Sequence, residues 1–131
     1  MRTSSYADDP SIRDEAELLR RIPPQHFVPD QNQGGIRISS AAFTDHPNGS
    51  PMSVVLAEVL AGTGRSPQDV LVGHQGFALA MITAGLAREC HQGIAREPLE
   101  DEPAHGVVFG RKTRAVMRRL ATVARWVIPP P

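Results

Sequence analysis

Two histidines stand where a side chain could act as an acid–base group. His105 comes directly before the apolar run Gly-Val-Val-Phe, and His74 lies between glycines in Val-Gly-His-Gln-Gly. Imidazole titrates near neutral pH, so either ring could serve as a general base or bind an anionic ligand. A hydrogen bond to a loop carbonyl is the simpler role for each ring taken singly. His105 and His74 are the candidate catalytic residues.

An anion-binding cluster is the second candidate site. The stretch RISSAAFTDHPNGSPMSV at 37–54 begins with Arg37 and contains Ser39 and Ser40. A guanidinium close to hydroxyl groups suits the recognition of carboxylate or phosphate. The later part, with Pro and Asn-Gly, is typical of a turn. If this cluster and the two histidines form one site, all five side chains should line a single pocket.

The end of the chain predicts an amphipathic helix from Thr113 to Trp126. Its apolar residues recur at steps of four, three and four, which makes one stripe of a helix. Basic residues on the opposite face could contact a partner protein or phosphate. A solvated face is the simpler explanation, because acidic residues lie just upstream and the chain has no net charge. The partner-binding candidates are Arg111, Arg114, Arg118 and Arg125.

The sequence contains no recognisable metal or cofactor motif. Its five histidines never lie four residues apart, as metal-binding pairs on a helix do. Cys90 is the single cysteine, which excludes a disulfide within the chain and a multi-cysteine zinc site. A Gly-x-Ser-x-Gly hydrolase turn and a phosphate-binding glycine loop are also absent. We therefore expect neither a metal nor a cofactor.

One order of residues resembles the ADP-ribosyltransferases of the arginine type. That family has an early Arg, a Ser-rich strand and a late Glu, and here Arg20 or Arg21 precedes Ser39-Ser40. The resemblance covers scattered residues, because the family's Ser-Thr-Ser is absent and Glu-Asp-Glu at 100–102 lies in a proline-flanked loop. It implies a nucleotide-like substrate. The late glutamate would be one of Glu97, Glu100 and Glu102.

Helices and short strands are expected to position these residues. Serine caps, proline at the first helical position and apolar spacing predict helices at 11–22, 51–61 and 67–71. The segment 77–90 is apolar almost all round and therefore buried, as a helix or as a strand. Strands are predicted at 26–28, 36–38, 93–96 and 105–109. The expected fold is α+β, with four or five helices on a short, mainly antiparallel sheet.

Composition places the chain among small soluble proteins. Its 131 residues suffice for one domain, with a flexible tail at 1–10, a globular domain at 11–128 and a proline tail at 129–131. An apolar fraction of 40% and a charged fraction of 21% are typical of globular chains. No apolar run is long enough to span a bilayer. The arginine-rich composition suggests a bacterial source, and the single cysteine suggests a reducing cytoplasm.

Two functional hypotheses follow from these observations. The first, which asks least of the sequence, is an accessory protein that binds a partner protein through the basic helix face. The second is a small enzyme or ligand-binding domain for an anionic, nucleotide-like compound. In the second, Arg37, Ser39 and Ser40 hold the anion while His74 or His105 acts as the acid–base group. Zero net charge argues against nucleic acid as the partner.

Overall fold

The computed structural model describes residues 6–131, which form an α+β domain built on a six-stranded antiparallel sheet. The order across the sheet is β6-β7-β4-β1-β5-β8, and β2 and β3 form a separate two-stranded ribbon. The strands are β1 (Glu17–Ile22), β2 (Phe27–Pro29), β3 (Ile36–Ile38), β4 (Met52–Leu56), β5 (Ala78–Thr83), β6 (Gly93–Arg96), β7 (His105–Phe109) and β8 (Arg125–Ile128). The helices are α1 (Ala57–Gly62), α2 (Pro67–Val70), α3 (Ala84–Glu89) and α4 (Arg114–Val123).

The sheet has two differently covered faces. Side chains alternate along a strand, so Leu18 and Leu19 of β1 point to opposite sides. Leu18 packs in a cluster that includes residues of α3, α4 and β3, and we call this side the α4 face. Leu19 packs with Leu60 of α1 and Val70 of α2, and we call that side the cleft face. The central strands therefore bury apolar side chains on both faces.

The predicted helix at 11–22 is wrong, because this segment contributes the central strand β1. Leu18, Leu19 and Ile22 have helical spacing, but a strand buried on both faces does not show the alternation that reveals most strands. β1 pairs with β5 over its whole length and with β4 at Leu18 and Leu19. Tertiary pairing thus overrides the local pattern.

Two further segments divide into a strand followed by a helix. The predicted helix at 51–61 is β4 followed by α1, and 77–90 is β5 followed by α3. The second junction is marked by Thr83, whose Oγ1 accepts a hydrogen bond from the Leu86 N–H at 3.1 Å. This is a helix N-cap. The expectation that 77–90 lies in the core is confirmed.

The last predicted helix is too long. Thr113 caps α4 through the Val116 N–H, as its position suggested, but α4 ends at Val123. Ala124 adopts an extended conformation, and the chain then enters β8, which pairs with β5. The pattern at 113–127 thus spans two elements.

Several predicted elements are confirmed. β6 and β7 pair antiparallel over the whole of β6, β3 occupies the predicted strand at 36–38, and α2 begins at Pro67. The Ser66 N–H donates to the Asp69 carboxylate at 2.7 Å, which ties down the start of α2. Within residues 6–131, no helix is long and apolar enough to cross a membrane.

The chain before β1 lies against the outer edge of β6. The Asp9 N–H donates to the Ile94 carbonyl at 2.8 Å, and the Asp8 carboxylate accepts the Ile94 N–H at 2.9 Å. Tyr6 stacks on Phe109 of β7, with ring centroids 5.8 Å apart. The first five residues of the predicted flexible tail lie outside the described residues.

Candidate active site

His105 begins β7 and points to the cleft face. Strand register places it opposite Val55 of β4, and Ser53 opposite Val107. Because cross-strand partners point to the same side, His105 and Ser53 are diagonal neighbours on the cleft face. The His105 side chain is only 13% exposed. The sheet itself therefore holds this pair of polar side chains together.

The hydrogen bonds of His105 define its tautomer. Nδ1 lies 2.8 Å from the backbone oxygen of Glu97, and Nε2 lies 3.1 Å from Ser53 Oγ. A carbonyl oxygen can only accept, so Nδ1 carries the proton in the neutral ring. Nε2 is then an acceptor for the Ser53 hydroxyl. This is the arrangement in which a histidine can take a proton from a serine.

The Glu97 carboxylate lies behind the histidine. Its Oε1 is 3.6 Å from His105 Nδ1, too long for a hydrogen bond but close enough to stabilise an imidazolium. The other carboxylate oxygen, Oε2, accepts the Tyr6 hydroxyl. Ser53, His105 and Glu97 thus lie in a row, as the serine, histidine and carboxylate of a hydrolase triad do.

A cleft of about 360 Å³ opens beside Ser53 and His105. It is lined by polar side chains from β1, α2 and the loops on this face, which gives it both charge signs. The two histidines predicted as catalytic residues, His74 and His105, both line this cleft. The other charged residues that line it are Arg20, Arg21, Arg65, Asp69, Asp101 and Glu102.

Within residues 6–131, Arg21 forms no ion pair, although the carboxylates of Glu102 and Asp101 act on its charge from a distance. Its Nε donates to the Val70 carbonyl at 2.7 Å, which orients the guanidinium. Within residues 6–131, its terminal nitrogens make no hydrogen bond to a side chain. Burial lowers the pKa of Arg21 from its ordinary value, but arginine stays charged at neutral pH. These N–H groups are available to an anionic ligand.

His74 lines the opposite part of the cleft, with its ring packed edge-on against Phe77. The ring centroids are 5.1 Å apart. Burial and then the positive charge of Arg21 lower the pKa of His74 below its ordinary value. Both effects favour the neutral form of the ring. It can accept or donate a hydrogen bond, but it adds no charge for an anion.

A bidentate ion pair braces the loop that precedes β7. Arg65 Nη1 and Nη2 donate to the two carboxylate oxygens of Glu102 at 2.6 and 2.9 Å. The Ala104 N–H donates to the same carboxylate. These hydrogen bonds, first the one from Arg65, lower the pKa of Glu102. The pair holds the segment between Glu97 and His105 against α1 and α2.

The predicted anion cluster lies elsewhere. Arg37 and Ser40 line a groove that Trp126 also lines, and Trp126 lies opposite Ala80 on the α4 face. Ser39 Oγ accepts the Ala41 N–H, which caps a short 3₁₀ turn. The expectation that these residues share one pocket with the two histidines is wrong, because the sheet separates them.

The four predicted partner-binding arginines do not share one helix face. Arg114 and Arg118 lie on α4, whereas Arg111 precedes it in a loop. Arg125 lies on β8 opposite Met81, which points to the cleft face. Only Arg114 and Arg118 line a common hollow. The early end of α4 is the reason for the difference.

Ser53 is the functional candidate that the sequence did not indicate. It was concealed because its segment reads as the start of a helix, and a serine in a strand carries no local signature. The ADP-ribosyltransferase-type order is also divided: Arg21 and Glu102 line the cleft, whereas Ser40 lines the groove on the other face. A strand prediction for 52–56 would have placed Ser53 and Val55 on one side.

Within residues 6–131, no group of three or more His, Cys, Asp or Glu residues is placed so that it could hold a metal ion. Cys90 is buried, and burial raises the pKa of its thiol. Its environment is that of a packing residue.

No family model, curated protein or solved structure matches this chain.

Proposed function

We propose that this protein is a small serine-dependent esterase or acyltransferase acting on an anionic substrate. The observation that carries the proposal is the position of His105 between Ser53 and Glu97, with Nε2 facing the serine hydroxyl. Because the proton on Nδ1 is hydrogen-bonded to the Glu97 backbone oxygen, Nε2 is unprotonated and can act as the base. This develops the hypothesis of an enzyme for an anionic compound, with the cleft replacing the Arg37 cluster as its site.

The reaction would proceed in two steps. Ser53 Oγ forms a bond to the acyl carbon of an ester while His105 Nε2 takes the hydroxyl proton. His105 gives that proton to the leaving alcohol oxygen as the ester C–O bond breaks. The oxygen of water, or of an acceptor alcohol, then forms a bond to the acyl carbon while His105 takes its proton. The bond between the acyl carbon and Ser53 Oγ breaks as His105 returns the proton to that oxygen. Glu97 stabilises the imidazolium that exists between these transfers.

Arg21 would select the substrate. Its terminal N–H groups face the cleft, and continuing the β1–β4 register beyond Leu19 and Val55 brings it beside Ser53 on the same face. A carboxylate or phosphate on the substrate would bind there. Arg65 is already paired with Glu102, whereas the terminal nitrogens of Arg21 remain available to a ligand.

The test is covalent labelling followed by hydrolysis. A fluorophosphonate probe should label Ser53, and Ser53→Ala should abolish labelling. Ser53→Ala and His105→Gln should each slow hydrolysis of p-nitrophenyl hemisuccinate by at least about a hundredfold. Ser50→Ala, an exposed serine just before β4, is the matched control and should behave as the unmodified protein.

Substrate charge supplies the second measurement. The unmodified protein should prefer p-nitrophenyl hemisuccinate to the uncharged p-nitrophenyl acetate, and Arg21→Gln should remove the preference. Circular dichroism confirms that each variant is folded. Equal hydrolysis by the unmodified protein and Ser53→Ala, with no serine labelled, would refute the proposal.

A further inference from the structure

A second concave surface lies on the α4 face, on the side of the sheet away from Ser53. A groove of about 770 Å³ runs between β3 and α4 and is lined by Arg37, Arg118 and Trp126. A hollow of about 340 Å³ continues it along α4, with Arg114 at its side. The two share Ser40 and Arg118. We call this combined surface the basic groove.

The positive charges of the basic groove are not neutralised by the protein. Within residues 6–131, Arg37, Arg114 and Arg118 make no ion pair. The groove's one lining carboxylate, Asp30, accepts the backbone N–H groups of Asn32 and Gln33. On the flank of the same helix, by contrast, Arg119 lies 4.0 Å from Glu89. Among the described residues, three arginines and one aspartate thus line the basic groove.

We propose that the basic groove binds an acidic segment of a partner protein. Guanidinium groups match carboxylates in pairs of parallel hydrogen bonds, and three of them spaced along β3 and α4 suit several carboxylates in one chain. Ile36, 42% exposed, lines the same groove and offers an apolar contact that a peptide side chain could use. Charge complementarity therefore identifies the occupant.

The groove is a poor match for nucleic acid. Binding of single strands commonly combines basic side chains with aromatic faces on which bases stack. Trp126, the aromatic residue of this groove, donates its Nε1–H to the Ile36 carbonyl and packs against Phe27 at a centroid distance of 6.0 Å. The net charge of the chain is also zero. Both observations favour a carboxylate-bearing peptide.

Fluorescence anisotropy of a labelled hexaglutamate peptide tests the proposal. Binding should be measurable at low salt and weaken as salt is added. Arg37→Glu and Arg118→Glu should each weaken it by at least about tenfold, because each reverses a charge at the site. Arg125→Glu is the matched control, since it makes the same change on the cleft side of β8 and should leave the affinity unchanged.

Two further labelled ligands, measured in the same way, test the specificity of the groove. A hexalysine peptide should not bind, and an oligothymidylate with the same number of charges should bind more weakly than hexaglutamate. Tighter binding of the oligonucleotide would overturn the proposal in favour of nucleic acid. Absence of hexaglutamate binding, or equal losses in Arg118→Glu and Arg125→Glu, would also overturn it. The milder Arg37→Gln, at an exposed position, guards against an effect of charge reversal on folding.

Discussion

Three cations lie against the sheet, and backbone carbonyls accept their hydrogen bonds. Arg20 donates to the carbonyls of Ala42, Ser53 and Thr44 on the α4 face, and burial lowers its pKa to about 10. Arg21 uses the Val70 carbonyl on the cleft face. Lys112, the single lysine of the chain, is only 4% exposed. Adjacent basic residues in the sequence thus serve different faces.

The ion pair of Lys112 supports a first prediction about stability. Its Nζ lies 2.8 Å from Asp45 Oδ1 and also donates to the Val108 carbonyl. Asp45→Ala leaves a buried ammonium unpaired and should cost about 2–3 kcal/mol in the free energy of unfolding. Lys112→Met leaves the Asp45 carboxylate unpaired, but that side chain is 37% exposed and can be hydrated, so this variant should lose less stability than Asp45→Ala. Urea denaturation measures both, and equal losses would contradict this account.

The Arg65–Glu102 pair predicts a dependence of stability on pH. Folding lowers the pKa of Glu102, so the unfolded chain takes up a proton first as the pH falls. The stabilisation is complete above the ordinary pKa of 4.5 and is lost as the pH drops through the lower folded value. Glu102→Gln should therefore lower the melting temperature at pH 7, and the difference should narrow below pH 4.5.

The matched control for that measurement is Glu100→Gln, the same change at an exposed position two residues earlier. Its melting temperature should follow that of the unmodified protein across the whole pH range. A Glu102→Gln deficit that stays constant down to about pH 3 would show that the carboxylate charge is not what stabilises the loop.

At the scale of elements, the predicted helices at 11–22 and 51–61 fail for a common reason. Apolar runs such as those at 52–62 and 77–90 fit helical spacing, yet each forms a strand first and a helix afterwards. Strand formation depends on neighbours that are distant in the sequence, so a local pattern cannot reveal it. Where a neighbour is close in sequence, as for β6 and β7, the strands were predicted correctly.

The end of α4 gives a prediction at this scale. Leu120 is fully buried against the sheet, whereas Val123, one turn further along the predicted stripe, is 42% exposed. Leu120→Ala should cost about 2–4 kcal/mol of stability because it opens a cavity under α4. Val123→Ala, the matched truncation, should change the stability by less than about 0.5 kcal/mol. Similar losses at both positions would indicate a helix that packs along its whole length.

At the scale of the whole molecule, the sheet separates the proposed catalytic cleft from the proposed peptide-binding groove. Ser53 and His105 occupy the cleft face, and the basic groove occupies the α4 face. Mutations at separated sites with no shared partners usually act independently. Arg118→Glu should therefore leave ester hydrolysis unchanged, and Ser53→Ala should leave hexaglutamate affinity unchanged. Rates and affinities of both variants and of the double variant check this, and a non-additive double variant would reveal coupling through the sheet.

The sequence by itself determined the broad composition of the fold. It established the α+β class, the strands at 93–96 and 105–109, the burial of 77–90 and the Ser66 start of α2, all of which depend on local chemistry or on neighbours close in the chain. It also indicated His105 and His74 as candidate acid–base residues. Each of these conclusions rests on propensity, capping or apolar content, which a short stretch contains.

Only the tertiary structure decided which side chains meet. Ser53 reaches His105 because β4 pairs with β7 across 52 positions of sequence, and Arg37 joins Arg118 because the β2–β3 ribbon packs near α4. Side-chain direction alternates along a strand, so a change of one residue in register would exchange the two faces. Strand pairing therefore placed the candidate acid–base residues in the cleft, and it placed the predicted anion-binding cluster of Arg37, Ser39 and Ser40 on the opposite side of the sheet.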